Sequence, residues 1–388
     1  MIPLKYNVRN LRVRWITTLM TVVGTGMVVW AMVLTFGLTD GLEHALRISG
    51  HPRDVIILRK GADTETSSSV DADKASDIAT LAGIEKTADG RPLCSKEFVT
   101  ILIKPRRNNG GTVNLIVRGV EDVARELRPD FKIVKGRDLK PGLNEVITSE
   151  NMARRFENLG LGEKLEINKV DFEVVGYFEA GGSSAESEVW TDIRDLTTAR
   201  RVPGAISCVN IRAESDSARE ELMLDLKERD DRFLLAPITE PDYFKQQLKT
   251  AEVIKYVGYV IAAFLTMGAM FAAANTMFAA VASRAREIGT LRAVGFGRGS
   301  ILVSFLAESI LLCLLGGLLG CLATLPFNGL STGTANWSTF SEMTFSFRFG
   351  PKVLAQGILV AGLMGLLGGL FPAIRAVRMN IVTALREQ

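Results

Sequence analysis

Residues 283–295 read Ser-Arg-Ala-Arg-Glu-Ile-Gly-Thr-Leu-Arg-Ala-Val-Gly and lie between two long apolar runs. The stretch holds three arginines, Arg284, Arg286 and Arg292, and one acid, Glu287. Ala285, Ile288, Leu291 and Val294 recur at every third position, so they are expected to form one apolar stripe on a short helix. Gly289 falls inside that helix. Gly295 is placed to stop it, because glycine enters the left-handed conformation at little steric cost. A short amphipathic helix between two membrane spans, at their basic ends, is positioned to receive a push from a cytoplasmic partner. A positive loop that only fixes topology has the same composition, and the residues alone weigh the two readings about equally.

Outward from this stretch, Tyr256–Ser283, Trp15–Thr39 and Val353–Ile374 contain no charged residue, and Ser300–Phe327 contains one, Glu308. A span needs about 20 apolar residues, or ~30 Å of helix at ~1.5 Å each. Transmembrane helices are therefore expected at 15–39, 254–282, 300–327 and 353–374. Glu308 falls ~13 Å along its run, where a charge costs ~2.5–3.5 kcal/mol to insert. The favoured reading is a structural link to the 283–298 segment through Arg292 or Arg298; the other is that the hydrocarbon begins later than Ser300. A proton relay would need more acids in the spans, and the apolar runs have none.

Basic residues set the expected orientation. Lys5, Arg9, Arg12 and Arg14 precede the first run, the 283–298 loop is arginine-rich, and Arg375, Arg378 and Arg386 follow the last run. Both termini and the 283–298 coupling segment are then cytoplasmic. The first run is read as a retained anchor, since it is long for a signal-peptide core and shows no convincing cleavage site. Residues 1–14, basic with apolar residues interleaved, suit a helix on the inner membrane surface. Residues 375–388 form a cytoplasmic tail, and 40–250 and a short 328–350 loop are outside.

The 40–250 segment reads as an α+β domain, expected in two lobes with an insert near 130–203. Strands are expected at Asp54–Arg59, Phe98–Lys104, Thr112–Arg118, Glu145–Thr148, Lys164–Ile167, Phe172–Phe178 and Ser207–Arg212. Helices are expected at Asp73–Ala82, Glu150–Phe156, Ile193–Arg200 and Ser217–Arg229. Asn108-Asn-Gly-Gly111 signals a hairpin turn, and Gly181–Ser187 a flexible surface loop. Thr239-Glu-Pro-Asp242 has the form of a helix start: a capping threonine, an early proline and an acid three residues on. A helix from there runs into the second span, and Gly41–Ile48 continues the first span outward, so two helical stalks are expected. Gly316/Gly320 and Gly365/Gly369 are G-x-x-x-G pairs that let helix backbones approach, within one subunit or between two.

The net charge of +3 gives no argument for a nucleic-acid partner. No phosphate-binding loop, H-E-x-x-H or G-x-S-x-G occurs, so the chain is not expected to be an enzyme. Four cysteines and two histidines show no ligand spacing, so no metal is expected. Cys94 and Cys208 are both outside, and whether they pair is left open.

These features resemble the FtsX/MacB-type permeases of ABC transporters, the family that includes lipoprotein-releasing and macrolide-exporting systems. The most specific part is Arg286-Glu-Ile-Gly-Thr-Leu-Arg-Ala-Val-Gly295. The Glu308–Gly320 run, the Pro372-Ala-Ile-Arg-Ala-Val-Arg378 exit and Asn10-Leu-Arg-Val-Arg14 also fit. The resemblance implies a permease of the bacterial cytoplasmic (inner) membrane that pairs with a second permease subunit, as a homo- or heterodimer. It implies a separate ABC ATPase that binds ATP and Mg, with no cofactor on this chain, and coupling through the 284–295 helix. A periplasmic adaptor is a further expected partner for an exporter. An FtsX-like regulator that activates a cell-wall hydrolase is the alternative. A membrane-anchored enzyme or receptor is disfavoured by the missing catalytic constellation and output domain.

Overall fold

The computed structural model describes residues 15–107, 111–128, 130–228, 234–335 and 342–379. The expected amphipathic segment at 1–14, the turn residues 108–110 and the tail beyond 379 lie outside the described residues. The helices are α1 (Trp15–Ile48), α2 (Ala72–Ile78), α3 (Glu150–Arg155), α4 (Ile193–Ala199), α5 (Asp216–Glu228), α6 (Glu240–Ser283), α7 (Ala285–Ala293), α8 (Arg298–Thr324) and α9 (Pro351–Arg378). The strands are β1 (Asp54–Arg59), β2 (Cys94–Pro105), β3 (Thr112–Val120), β4 (Phe131–Gly136), β5 (Glu145–Thr148), β6 (Lys164–Ile167), β7 (Val170–Ala180), β8 (Glu188–Asp192), β9 (Cys208–Arg212), β10 (Leu235–Thr239), β11 (Ser331–Ala335) and β12 (Glu342–Ser346). The chain divides into two units, one taking residues up to Asp40, Val253–Leu330 and those from Phe347 on, the other Gly41–Glu252 with Ser331–Ser346.

In the first unit, four helices are long and apolar enough to cross a membrane: Trp15–Ile48, Lys255–Ser283, Arg298–Phe327 and Pro351–Arg378. Small residues set how they pack. A Cβ on Gly316 would lie 2.0 Å from Thr25 Oγ1, and one on Gly320 2.5 Å from the Gly26 carbonyl, so this pair seats α8 on α1. A Cβ on Gly365 would lie 2.6 Å from Ile310 Cα, and one on Gly369 2.5 Å from Ser309 Cβ, so this pair seats α9 on α8. Both G-x-x-x-G pairs pack helices within the chain. Ser309 Oγ adds a hydrogen bond to the Gly365 carbonyl at 2.8 Å.

The second unit is a mixed sheet of ten strands in the order β10-β1-β9-β2-β3-β8-β5-β7-β4, with β6 paired to β7. The sheet changes partners inside β2. Cys94–Glu97 pairs with β9, and Phe98–Pro105 pairs with β3. This change of partners falls ahead of residue 130, near which an insert is expected to start. One core gathers Val55, Ile57, Ile78, Val209, Ile211 and Leu222. The inserted lobe buries Met152, Phe156, Phe172 and Leu196 in one cluster, and Phe178 and Trp190 in another. Phe131 stacks on Trp190 at 5.2 Å, and the Arg128 guanidinium lies 4.9 Å from the Trp190 ring centre.

Two expectations are corrected here. Residues 328–350 are not a plain loop, because β11 and β12 form an antiparallel hairpin that belongs to the α+β unit. Glu342, almost fully buried, accepts from Arg106 Nη2 at 2.7 Å and also from Arg155. Residues 181–187 are not a loose loop either. Ser184–Ser187 is a 3-10 turn, Glu186 accepts from the Gly182 amide at 2.7 Å, and Ser187 Oγ accepts from the Thr344 amide at 2.8 Å.

Cys94 and Cys208 are both buried free thiols. Cys94 is opposite Ile211 and Cys208 is opposite Glu97, so the two cysteines are an odd number of positions apart in register and face opposite sides of the sheet. Cys94 packs with Ile211, whereas Cys208 packs with Ile56, Leu58 and Tyr243.

Candidate functional site

Helix α6 runs 44 residues without a break, ~66 Å at ~1.5 Å per residue. Its start is capped as its sequence indicates: the Asp242 amide donates to Thr239 Oγ1 at 3.3 Å, and Thr239 Oγ1 donates to the Asp242 carboxylate at 2.7 Å. Its end is a single residue. Arg284 has φ −112° and ψ 16°, outside helical geometry, and α7 begins at the next position. At the far end the Gly295 amide donates to the Arg292 carbonyl and the Phe296 amide to the Leu291 carbonyl at 3.1 Å, with Gly295 at φ +107°. This pairing is a Schellman stop, which needs a glycine-tolerant backbone at that position.

The buried face of α7 is Ala285, Ile288 and Gly289. Ile288 packs with Met277, Val281, Ile301, Phe305, Ala373 and Ala376. Leu291 is half-buried and Val294 is 74% exposed, so the expected stripe is wrong beyond Ile288. The reason is geometric. At 3.6 residues per turn a step of three residues falls about 60° short of a full turn. Three such steps carry Val294 to the side opposite Ala285. The outward face is Arg286, Glu287, Thr290, Ala293 and Val294.

Glu308 pairs with Arg284, not with Arg292 or Arg298. Arg284 Nη1 and Nη2 donate to the two carboxylate oxygens at 2.9 and 3.1 Å, and both side chains are buried. The pair borders a cavity of about 270 Å³ walled partly by Thr17, Thr18, Thr21, Asn275 and Thr276. A buried ion pair survives only where its geometry is good and polar groups surround it. Arg292 instead donates to the Met379 carbonyl, just past the end of α9. Thus Arg284, Ile288, Gly289 and Arg292 bind α7 to the helical unit, and Arg286 and Glu287 face outward.

The α+β unit holds a second polar centre that sequence reasoning missed. Arg118 donates to Glu188 at 2.6 and 2.7 Å, to Glu65 at 2.8 and 2.7 Å and to Glu97 at 2.7 Å. Burial opposes the charge on Arg118, but Glu188 and Glu65 outweigh it and hold the guanidinium well above its usual range. Burial likewise pushes the Glu97 carboxyl up, yet Arg128 and Arg118 bring it down to about 2. Burial and then Asp54 push Glu240, at the first turn of α6, up to about 8. Burial, Glu65 and Glu97 push the Cys208 thiol up. Glu65, Arg118, Arg128, Glu188 and Glu240 border a cavity of about 60 Å³ that also touches Asn210, Tyr243 and Gln247. The residues come from separate strands with no shared spacing, so no linear motif marks them.

Four apolar helices with an α+β domain inserted after the first define a membrane-embedded permease of the kind in which the inserted domain is the largest part. A family model for the MacB-like periplasmic core domain matches residues 18–229, and one for the FtsX-like permease C-terminal region matches residues 259–381. The chain belongs to this MacB/FtsX-type family of ABC transporter permeases. The macrolide export ATP-binding/permease protein MacB of Sodalis glossinidius is 27% identical over 96% of this chain and 58% of its own length. MacB of Bdellovibrio bacteriovorus is 28% identical over 71% of this chain and 44% of its own length. The chain thus spans about half the length of these relatives. An uncharacterised ABC transporter permease of Bacillus subtilis, YknZ, is 26% identical over 96% of this chain and 95% of its own length. The periplasmic region of MacB from Actinobacillus actinomycetemcomitans aligns with 54% of this chain and 97% of its own, at 15% identity and a TM-score of 0.39.

Proposed function

We propose that this chain transmits ATP-driven motion from an ABC ATPase on a separate polypeptide to its own α+β unit, for the export or extraction of cargo. The observation that carries the reading is the joint at Arg284. One residue separates the 44-residue helix α6 from α7, and that residue is locked to α8 through Glu308. A displacement of α7 is then felt at once by α6 and α8, and α6 continues unbroken into the α+β unit. The outward face of α7 offers Arg286, Glu287, Thr290 and Val294 to the ATPase. ATP and Mg bind on that partner.

The basic residues flanking the spans support an orientation with both termini and α7 on the cytoplasmic side of the bacterial inner membrane and the α+β unit outside. A second permease subunit, identical or related, completes the assembly, and a periplasmic adaptor joins it if the cargo is exported. YknZ, matched over 96% of this chain, is named an ABC transporter permease, which supports the permease role.

The test is affinity capture of the detergent-solubilised protein from its native membrane, with bound chains identified by mass spectrometry. The wild type should bring down a P-loop ATPase. Val294→Asp, on an exposed position, should lose it while remaining in the membrane. An absent ATPase, or one retained by Val294→Asp and by Glu287→Lys, overturns the proposal.

A further inference from the structure

We infer that α1 and α6 together hold one phospholipid with an amine headgroup, drawn from the membrane leaflet on the side of α7. An apolar cleft of about 520 Å³ lies between the two helices, with Gly24 and Val28 of α1 and Leu265, Gly268 and Ala272 of α6 in its walls. At one end it runs into the polar cavity of about 270 Å³ that borders Arg284 and Glu308, because Thr21 and Thr276 line both. An apolar slot that opens into a polar chamber fits an amphiphile rather than a wholly polar or wholly apolar ligand.

The spacing of residues along each helix builds this shape. Thr17, Thr21, Gly24 and Val28 share one face of α1, and Phe264, Gly268, Ala272 and Thr276 share one face of α6. Both faces are polar at the end near α7 and apolar beyond it. A Cβ on Gly24 or Gly268 meets nothing within 4 Å, so neither glycine is required by helix packing. From Phe264 to Thr276 the cleft follows ~18 Å of helix. Half of a ~30 Å hydrocarbon core is ~15 Å. The cleft therefore matches the acyl depth of one leaflet, whereas a spanning helix of a second copy would need the full depth.

Hydrogen bonding in the polar chamber selects the headgroup. Thr21 Oγ1 donates to the Thr17 carbonyl at 2.9 Å, and Thr276 Oγ1 donates to the Ala272 carbonyl at 3.0 Å. A hydroxyl has one proton, so toward a ligand each of these oxygens can only accept. Arg284 commits Nη1 and Nη2 to the two oxygens of Glu308, and that carboxylate keeps further lone pairs. The chamber thus offers acceptors to a donor. An ethanolamine ammonium brings N–H donors, whereas choline carries methyl groups in their place and brings none. Asn275, exposed on the same cavity, has an amide N–H for the phosphate.

The test uses the full chain in phosphatidylcholine bilayers with a trace of phosphatidylethanolamine that carries a photoreactive group midway along one acyl chain. Irradiation and peptide mass spectrometry should place the label on the cleft residues of α1 and α6. Gly24→Leu with Gly268→Leu should lose most of it. Unlabelled phosphatidylethanolamine should compete at least about tenfold better than phosphatidylcholine, the worth of a hydrogen bond to a charged group. Thr21→Val with Thr276→Val keeps the side-chain shape but removes two acceptors, and should shrink that preference. If the leucine variant does not fold, the valine variant carries the test. Label spread evenly over all four spans, equal competition by the two lipids, or a preference unchanged in the valine variant overturns the proposal. So do disulfides between the Met20→Cys positions of two copies that exclude the label, since a second copy would then cover the cleft.

Discussion

Arg284 and Glu308 show at the level of single residues what holds α7. Removing one partner of a buried ion pair leaves the other charge uncompensated, at a cost of about 3–5 kcal/mol. Glu308→Ala should therefore destabilise the protein strongly in thermal unfolding in detergent. Arg284→Met with Glu308→Leu should recover much of the loss, since an apolar pair of similar volume removes the burden of two buried charges. A double variant no more stable than Glu308→Ala would show that the pair does not carry this energy. Glu240 gives a pH-dependent prediction. Its folded carboxyl is raised from 4.5 to about 8, so the stability it contributes is full below about pH 4.5 and is lost as pH rises through about 8. Glutamine cannot ionise and still accepts from the His51 amide, which the native side chain does at 2.8 Å. Glu240→Gln should gain in melting temperature over wild type by a few degrees at about pH 8.5, and by less at about pH 5.5. An equal difference at both pH values would show that Glu240 stays ionised in the fold. The sequence marked Glu308 as an odd charge but assigned the wrong arginine. Distance along a helix is legible in a sequence, while the partner across a helix interface is set by packing. Arg118 and its glutamates, from Glu65 to Glu188, were invisible for the same reason.

The elements were more legible than their edges. The four spans and most strands of the α+β unit stand out because long uncharged runs and β-branched clusters are strong signals. Three strands of the ten-stranded sheet were not read, each for a physical reason. β10 carries Pro237, which reads as a break and is tolerated because β10 is an edge strand. β4, Phe-Lys-Ile-Val-Lys-Gly, mixes lysines with apolar residues without alternation at the other edge of the sheet order and is mostly exposed. β8, Glu-Val-Trp-Thr-Asp, is wholly buried despite its acids, because Glu188 is neutralised by Arg118. The glycines of the spans carry a prediction at this scale. Gly316→Ala places a Cβ against Thr25 and the Val22 carbonyl and should cost about 1–3 kcal/mol by overpacking. Gly24→Ala meets nothing within 4 Å and should be neutral or stabilising by up to about 1 kcal/mol, since alanine favours the helix. Thermal unfolding of the two variants checks the contrast, and equal losses would show that Gly316 is not a contact point.

At the scale of the whole molecule, three chain segments join the helical unit to the α+β unit. Helix α1 passes the division at Asp40 and α6 at Glu252, both without a break, and the β11–β12 hairpin returns from the end of α8. The first two were legible as helical stalks, since capping residues and continuous apolar runs mark them. The hairpin was not, because its anchor is Glu342 accepting from Arg106 and Arg155, more than a hundred positions away in sequence. The central claim is that motion imposed on α7 reaches the α+β unit. The direct measurement is the distance between spin labels at two exposed positions, Leu224 in α5 and Leu330 beyond α8, in the ATPase-bound protein in lipid. The account predicts that ATP with Mg shifts this distance distribution in the wild type and leaves it unchanged when Val294→Asp removes the ATPase contact. A wild-type distribution that ignores ATP, or a shift that survives in Val294→Asp, would contradict it.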